Sequence, residues 1–213
     1  MEISRYFDEA ARARVTEAVR QAEARSRGQI VPAVVEKSDP YPEARFRGAL
    51  LGAALATGAV LLLELPLTLG ELPVLQVAAG LAGGLLAMWD PLERLLVGRK
   101  AMDQAVRARA LRAFHEHGLQ RTAEGTGVLV FASLLERRAV VLGDHGIHAH
   151  MGEAGWDEAV AVLVAGLRAG EPGRGFEQAV ARCGERLAEH FPRAPGAPPP
   201  PNELGDALRV SRS

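Results

Sequence analysis

The residues best suited to chemistry form a short acidic and imidazole run: Asp144, His145, His148 and His150, followed by Glu153. Carboxylate and imidazole groups together can hold a divalent metal ion, which can activate water or bind a phosphate. The run follows a predicted strand, the usual place for sites in α/β folds. We therefore take Asp144, His145 and His148 as candidate ligands of Ca²⁺, Mg²⁺ or Zn²⁺.

The same run also permits a simpler interpretation, a solvated loop in which Asp144 caps a turn. Its spacing matches no established metal motif, and His145 and His148 would share a face only if the segment were helical. The sequence therefore assigns no catalytic residue and predicts no cofactor, with a divalent metal ion as the alternative.

Other polar groups carry weaker signals. His115 and His117 lack the four-residue spacing of the HExxH zinc motif and predict a polar helix end. Glu136–Arg138 predicts a charged β-turn, with an anion or partner contact as the alternative. Cys183 is expected to be a buried helix residue. No glycine-rich nucleotide loop and no GxSxG motif occurs in the sequence.

Two apolar runs occupy the middle of the chain. Residues 48–63 and 72–88 contain no ionised side chain. Each approaches the length of about 17–25 residues that a membrane-spanning helix needs, and neither shows the polar stripe of a soluble amphipathic helix. Pro66 and Gly70 between the runs, and Pro73 at the start of the second, predict a turn. We expect a two-helix transmembrane hairpin.

The basic residues next to this hairpin indicate its orientation. Arg45 and Arg47 precede it, Arg94, Arg99 and Lys100 follow it, and no Lys or Arg lies between. By the positive-inside rule, both outer ends face the cytoplasm. The N-terminus has no signal-peptide pattern. We expect a two-pass protein of the bacterial inner membrane, with both termini and the soluble domain in the cytoplasm.

Small residues recur within both runs. Gly48 and Gly52 form one GxxxG pattern, and Gly80 and Gly84 form another. Small residues let helices approach closely in lipid. The pattern predicts that the two helices pack on each other within one chain, with a homodimer through these faces as the alternative.

The remaining sequence alternates between helix and strand patterns, which indicates an α/β fold. Because an isolated strand is not stable, we expect the strands on both sides of the hairpin to join one sheet of at least three strands. Pro32 predicts that its strand lies at an edge or contains a bulge. The predicted helices are 7–26, 91–118, 154–167 and 176–191, and the predicted strands are 29–35, 127–132 and 139–142.

These elements suggest four regions. Residues 1–45 and 91–191 are expected to form the two parts of one domain, with the hairpin at 46–90 inserted between them. Residues 192–213 begin with a proline-rich tract and predict a disordered tail, with a proline-binding partner as the alternative. A net charge of −1 and an aromatic content of 5% argue against a nucleic-acid partner.

Several short stretches resemble the TPM domain family, and in particular the bacterial subset that carries a membrane hairpin. The similarity includes 23–31, 126–131 and 136–147, together with Trp156 and the Phe176 pattern of the closing helices. Thr126 stands where many members have Asn. The resemblance implies a small α/β domain. Some members are described as acid phosphatases, and others help to assemble or repair membrane complexes.

Together, the hairpin and the resemblance predict a membrane-anchored domain without catalytic activity. We expect it to bind a membrane protein complex as an assembly or quality-control factor. The alternative is a metal-dependent phosphatase with a site near Asp144. The identity of a partner or substrate stays open.

Overall fold

The computed structural model describes residues 3–122, 124–152, 154–194 and 202–211. The chain forms two compact units. Unit 1 comprises Met1–Asp39 and Asp103–Ser213, and unit 2 comprises Pro40–Met102. Unit 2 is therefore inserted into unit 1, and it extends beyond the segment 46–90 that the sequence predicted as the insertion.

Unit 1 is built on a four-stranded sheet. Its strands are β1 (Gln29–Val35), β2 (Gly127–Ser133), β3 (Arg138–Gly143) and β4 (Arg209–Ser211). The order is β3-β2-β1-β4, with β1 parallel to β2 and β4 and with β3 antiparallel to β2. Every residue of β1 and β2 is buried, which explains their continuous apolar sequences.

Helices pack on both faces of this sheet. The helices of the described residues are α1 (Glu9–Glu23), α2 (Pro42–Leu62), α3 (Glu71–Leu86), α4 (Asp90–Val97), α5 (Arg99–Glu116), α6 (His145–Met151), α7 (Asp157–Ala169) and α8 (Pro172–His190). One core joins α1, α7 and α8 to the sheet and contains Val19, Val130 and Phe176. A second core joins α5 to the other face and contains Val106 and Phe131. The predicted α/β fold with at least three strands is confirmed.

Local sequence explains how α1 begins and packs. Asp8 caps its N-terminus, since its side chain accepts a hydrogen bond from the Ala11 N–H at 2.7 Å. The buried positions Val15, Val19 and Ala22 recur at helical spacing. A Cβ atom at Gly184 would lie 2.5 Å from that of Ala22, so glycine permits α8 to approach α1 closely.

Unit 2 contains an apolar helical hairpin of α2 and α3. By length and composition α2 could cross a bilayer, and 6% of its most apolar window is buried. The shorter α3 meets the same criterion only together with α4, from which it is bent by 101°. Proline in the first turn starts both α2 and α4.

The structure corrects two predicted elements. The helix predicted over 91–118 is interrupted at Gly98, whose φ of 83° is left-handed and separates α4 from α5. The predicted disordered tail is wrong for residues 202–211, which contain β4, paired with Ala33–Val35. Residues 195–201, which hold most of the proline tract, lie outside the described residues.

The tail strand also corrects the prediction for Pro32. β1 lies between β2 and β4 and is not an edge strand. However, β4 pairs only with residues from Ala33 onward, so Pro32 lies outside that ladder. The missing N–H of proline is tolerated because β4 does not reach this position.

Candidate functional site

Asp144 lies at the junction between β3 and α6. Its carboxylate accepts a hydrogen bond from the His145 N–H at 2.7 Å, while its backbone carbonyl accepts from the His148 N–H at 2.8 Å. The residue is 7% exposed. Asp144 is thus the N-cap of a short helix, which agrees with the simpler interpretation that it caps a local turn.

The histidines of this segment lie on the outside of α6. His145 Nδ1 is 3.2 Å from Asp144 Oδ1, but the His145 side chain is 87% exposed. His148 is exposed, and the exposed His150 ring packs edge-on against Phe191. The structure therefore brings Asp144 and His145 together, while His148 and His150 lie on exposed surface. Glu153 lies outside the described residues.

One atom of Asp144 stands out. Within the described residues, its Oδ2 is buried without a hydrogen-bond partner. The loop before β2 closely approaches the first turn of α6, since a Cβ atom at Gly146 would lie 2.8 Å from the Gly125 carbonyl oxygen. Carboxylate and carbonyl oxygens suit Ca²⁺ and Mg²⁺. The described residues nevertheless gather no group of three His, Cys, Asp or Glu side chains that could hold an ion.

The segment Glu136–Arg138 contains a buried carboxylate that the sequence did not reveal. Glu136 is 4% exposed and accepts hydrogen bonds from the Ser38 N–H at 2.9 Å and from the Ser133 hydroxyl. Arg137 has a φ of 52°. Glu136 therefore joins the β2–β3 turn to the segment after β1. No local pattern could reveal this, because Ser38 is distant in the sequence.

A second group missed by sequence reasoning lies at the end of α1. Glu23 Oε1 accepts a hydrogen bond from the Ile30 N–H at 2.7 Å. Burial raises the pKa of Glu23 to about 7, and the charge of Asp206 adds to the rise, whereas the Ile30 N–H opposes it. Asp206 itself pairs with Arg20 at 3.1 Å. The side chain therefore titrates near neutral pH.

His117 directly follows α5, in agreement with the predicted polar helix end, and is partly buried. Burial lowers its pKa, and the Arg209 charge lowers it further. The neighbouring His115 behaves as a local helix residue, with Nδ1 2.8 Å from the Leu111 carbonyl oxygen.

The four glycines singled out in the apolar runs all face the opposite helix of their own hairpin. A Cβ atom at Gly48 would lie 2.5 Å from that of Ala87, and one at Gly52 would overlap the carbonyl oxygen of Ala79. A Cβ atom at Gly80 would lie 3.4 Å from the nearest carbonyl oxygen of α2, and one at Gly84 would lie 3.5 Å from another carbonyl oxygen of that helix. The glycine faces are therefore used within one chain.

A polar pair also joins the two helices. Gln76 Nε2 donates to the Thr57 hydroxyl oxygen at 2.8 Å, and that hydroxyl donates to the Ala53 carbonyl at 3.0 Å. Sequence analysis did not single out these residues. A Gln in one apolar run and a Thr in the other could have indicated a hydrogen bond between the helices. The sequence does not give the register of the two helices, so it could not pair them.

Together, fold and packing define an α/β domain whose chain is interrupted between β1 and β2 by an apolar helical hairpin. No family model matches the sequence, and no curated protein matches it. Among solved structures, the chain is similar to the NMR structure of the BA42 protein from the psychrophilic bacterium Bizionia argentinensis. The TM-score is 0.61 at 16% identity, over 99% of this chain and 99% of that chain. This similarity concerns the fold alone.

Proposed function

We propose that the chain is a two-pass membrane protein in which the α2–α3 hairpin anchors the α/β domain to the bilayer. One observation carries this proposal. Among the described residues, nearly all large hydrophobic side chains that are exposed lie in unit 2; the exceptions are Leu111 and Val210. Such a surface is typical of contact with lipid, because a water-soluble protein rarely exposes so large an apolar area.

The charge pattern supports a cytoplasmic position for the domain. Basic residues flank the hairpin on both sides, and its turn carries only acidic charges, on Glu64 and Glu71. The positive-inside rule then places both ends of the hairpin in the cytoplasm of a bacterial inner membrane. Both termini follow, since the hairpin has two passes.

The activity that we propose for the anchored domain is binding, as an assembly or quality-control factor for a membrane protein complex. The edge strand β3 supports this role. It ends the sheet of the described residues, and Val140 and Leu142 on it are only partly buried. Edge strands offer free backbone groups to an incoming strand.

A pull-down in mild detergent tests the binding role. The full chain should retain a stoichiometric membrane-protein companion, and Val140→Asp on β3 should release it. The matched control is Leu111→Asp, which also introduces a charge at an apolar position that is not buried, but on α5 instead of β3. Absence of any stoichiometric companion, or equal release by both variants, would contradict the proposal.

A second candidate function is a metal-dependent phosphatase at Asp144. Its support is the Asp144 Oδ2 atom, which is buried and has no hydrogen-bond partner among the described residues. The described residues do not complete an ion site, so we derive no chemical step from it. Hydrolysis of an aryl phosphate with Ca²⁺, Mg²⁺ or Zn²⁺ that disappears in Asp144→Ala but persists in His150→Ala would favour this candidate; equal activity in Asp144→Ala would exclude the assigned site.

A further inference from the structure

We propose that α4 lies in the plane of the membrane interface, with Pro91, Leu92 and Leu95 against acyl chains and with Arg99 and Lys100 at anionic lipid headgroups. This inference rests on the proposed membrane anchoring and assigns a distinct role to the helix that follows the hairpin.

The two sides of α4 differ in exposure, as is typical of a helix that lies in a membrane interface. Leu95 is 76% exposed and Pro91 is exposed, whereas Glu93 and Val97 are each 4% exposed. Leu92 is partly exposed and flanks Leu95. A helix with one apolar face open and polar groups elsewhere favours the boundary between water and hydrocarbon.

The bend between α3 and α4 gives the orientation. The two axes meet at 101°, so an α3 that crosses the bilayer leaves α4 nearly parallel to its surface. At about 1.5 Å per residue, the 16 residues of α3 span about 24 Å, which is close to the hydrocarbon thickness of about 30 Å. The interface is therefore reached near the bend. Trp89, which is 68% exposed, lies at this point and is a typical interfacial residue.

Contacts within unit 2 hold α4 in this direction. The Arg47 guanidinium, at the base of α2, donates to the carbonyl oxygens of Leu96 and Val97 at the C-terminus of α4. This contact satisfies two of the free carbonyl groups that end a helix. The contact at the C-terminus of α4 thus fixes the orientation of this helix relative to α2.

The basic residues near α4 favour a membrane surface with anionic lipid headgroups. Arg99 and Lys100 are exposed and begin α5 after the break at Gly98, and Arg45 is exposed at the base of α2. Juxtamembrane basic residues are attracted to an anionic leaflet. α4 also carries two acidic residues, of which Glu93 is buried and Asp90 is partly exposed.

Depth-dependent fluorescence quenching tests the inference on the full chain in vesicles of phosphatidylcholine and phosphatidylglycerol. An environment-sensitive maleimide dye is placed in turn on Leu55→Cys, Leu95→Cys and Leu111→Cys. These positions are 72%, 76% and 45% exposed and lie on α2, α4 and α5. The native Cys183 should remain unlabelled, because it is fully buried and burial raises the pKa of its thiol.

We expect the dye at position 95 to be quenched at least twofold more by a nitroxide near the headgroup than by one deep in the acyl chain. Position 55 should show the reverse order, and position 111 should show neither. Deep quenching at 95 would mean that α3 and α4 form one span, which overturns the inference. No quenching at 95 with deep quenching at 55 overturns it too, but leaves the anchoring intact. No quenching at all three positions removes the anchoring itself.

The headgroup contact has its own test. Reversing the charges with Arg99→Glu and Lys100→Glu should lower the shallow quenching at position 95 at least twofold and leave position 55 unchanged. Unchanged quenching at both positions would contradict the assignment of anionic headgroups.

Discussion

The two units of this protein place large and small side chains in opposite ways. Unit 1 buries its large residues, including Phe7, Phe131 and Phe176, between helices and a sheet. Unit 2 brings glycines into its helix contact and leaves residues such as Leu55 and Leu62 exposed. Similar apolar residues thus have opposite positions in the two units, as the proposed membrane anchoring of unit 2 requires.

Elementary energetics explain this difference. Burying a Leu or Phe side chain from water contributes about 1.5–3 kcal/mol, so water drives the large residues of unit 1 inwards. Lipid is as apolar as leucine and gives no such drive, so helices in it associate by close backbone packing. Unit 2 follows the second pattern, and the predictions below test whether the contrast holds.

The largest expected effect comes from enlarging a glycine in the hairpin contact. Gly52→Leu should lower the free energy of unfolding of the hairpin by about 3 kcal/mol or more, because a side chain there overlaps the Ala79 carbonyl oxygen. Thermal denaturation of the purified protein in mild detergent measures this loss. Gly58→Leu is the matched control, since nothing lies within 4 Å of a Cβ atom at that position of the same helix. Equal behaviour of the two variants would contradict the glycine contact.

The corresponding change in unit 1 removes a buried polar contact. Glu136→Ala should reduce the free energy of unfolding by about 3 kcal/mol, because the Ser38 N–H and the Ser133 hydroxyl lose their acceptor. Urea denaturation followed by the signal of the buried Trp156 reports on this unit. Arg137→Asn, at the exposed neighbouring position, should change the stability little; a similar loss in both variants would speak against the buried contact.

The free energy of unfolding of unit 1 should depend on pH, because Glu23 belongs to this unit. Its folded-state pKa of about 7 lies above the ordinary value of 4.5. Its stabilising contribution is therefore complete below about pH 4.5 and is lost as the pH rises through 7. Glu23→Gln should remove about 1–3 kcal/mol of pH dependence between pH 5 and 8.

Urea denaturation at several pH values measures this effect. Glu17→Gln, an exposed position on the same helix, is the control and should keep the dependence of the wild type. A flat profile in the wild-type protein would show that Glu23 does not titrate near neutrality.

The smallest effect concerns the polar pair of the hairpin. A double-mutant cycle with Gln76→Leu and Thr57→Val should give a coupling energy of about 0.6–2 kcal/mol in detergent or lipid. A coupling near zero would mean that the two side chains do not meet in the folded hairpin.

The sequence predicted those elements whose signals are local. The strand at Gln29–Val35 has the predicted bounds, and each end of β2 and β3 lies within one residue of its predicted position, because continuous apolar residues mark buried strands. The helix α1 follows from its cap and its apolar spacing. A two-helix arrangement of the apolar runs also follows from composition alone.

The missed features depend on distant contacts. β4 is a three-residue strand that pairs with β1, and its own short sequence carries little strand signal. Gly98 stands in a run with helical periodicity, and its left-handed backbone breaks that run. The site was predicted only in part. Asp144 caps a helix, in line with the interpretation of this residue as a local cap. Glu136 and Glu23, by contrast, are buried by segments that are remote in the sequence.

Cysteine accessibility in intact spheroplasts tests most directly whether unit 2 crosses the membrane. Leu67→Cys lies in the turn of the hairpin and Arg174→Cys lies on the exposed side of α8. A membrane-impermeant maleimide should label the Leu67→Cys protein from outside, and should label the Arg174→Cys protein only after the membrane is opened. Equal labelling of both proteins before lysis, or recovery of the chain in the soluble fraction, would contradict the proposed anchoring.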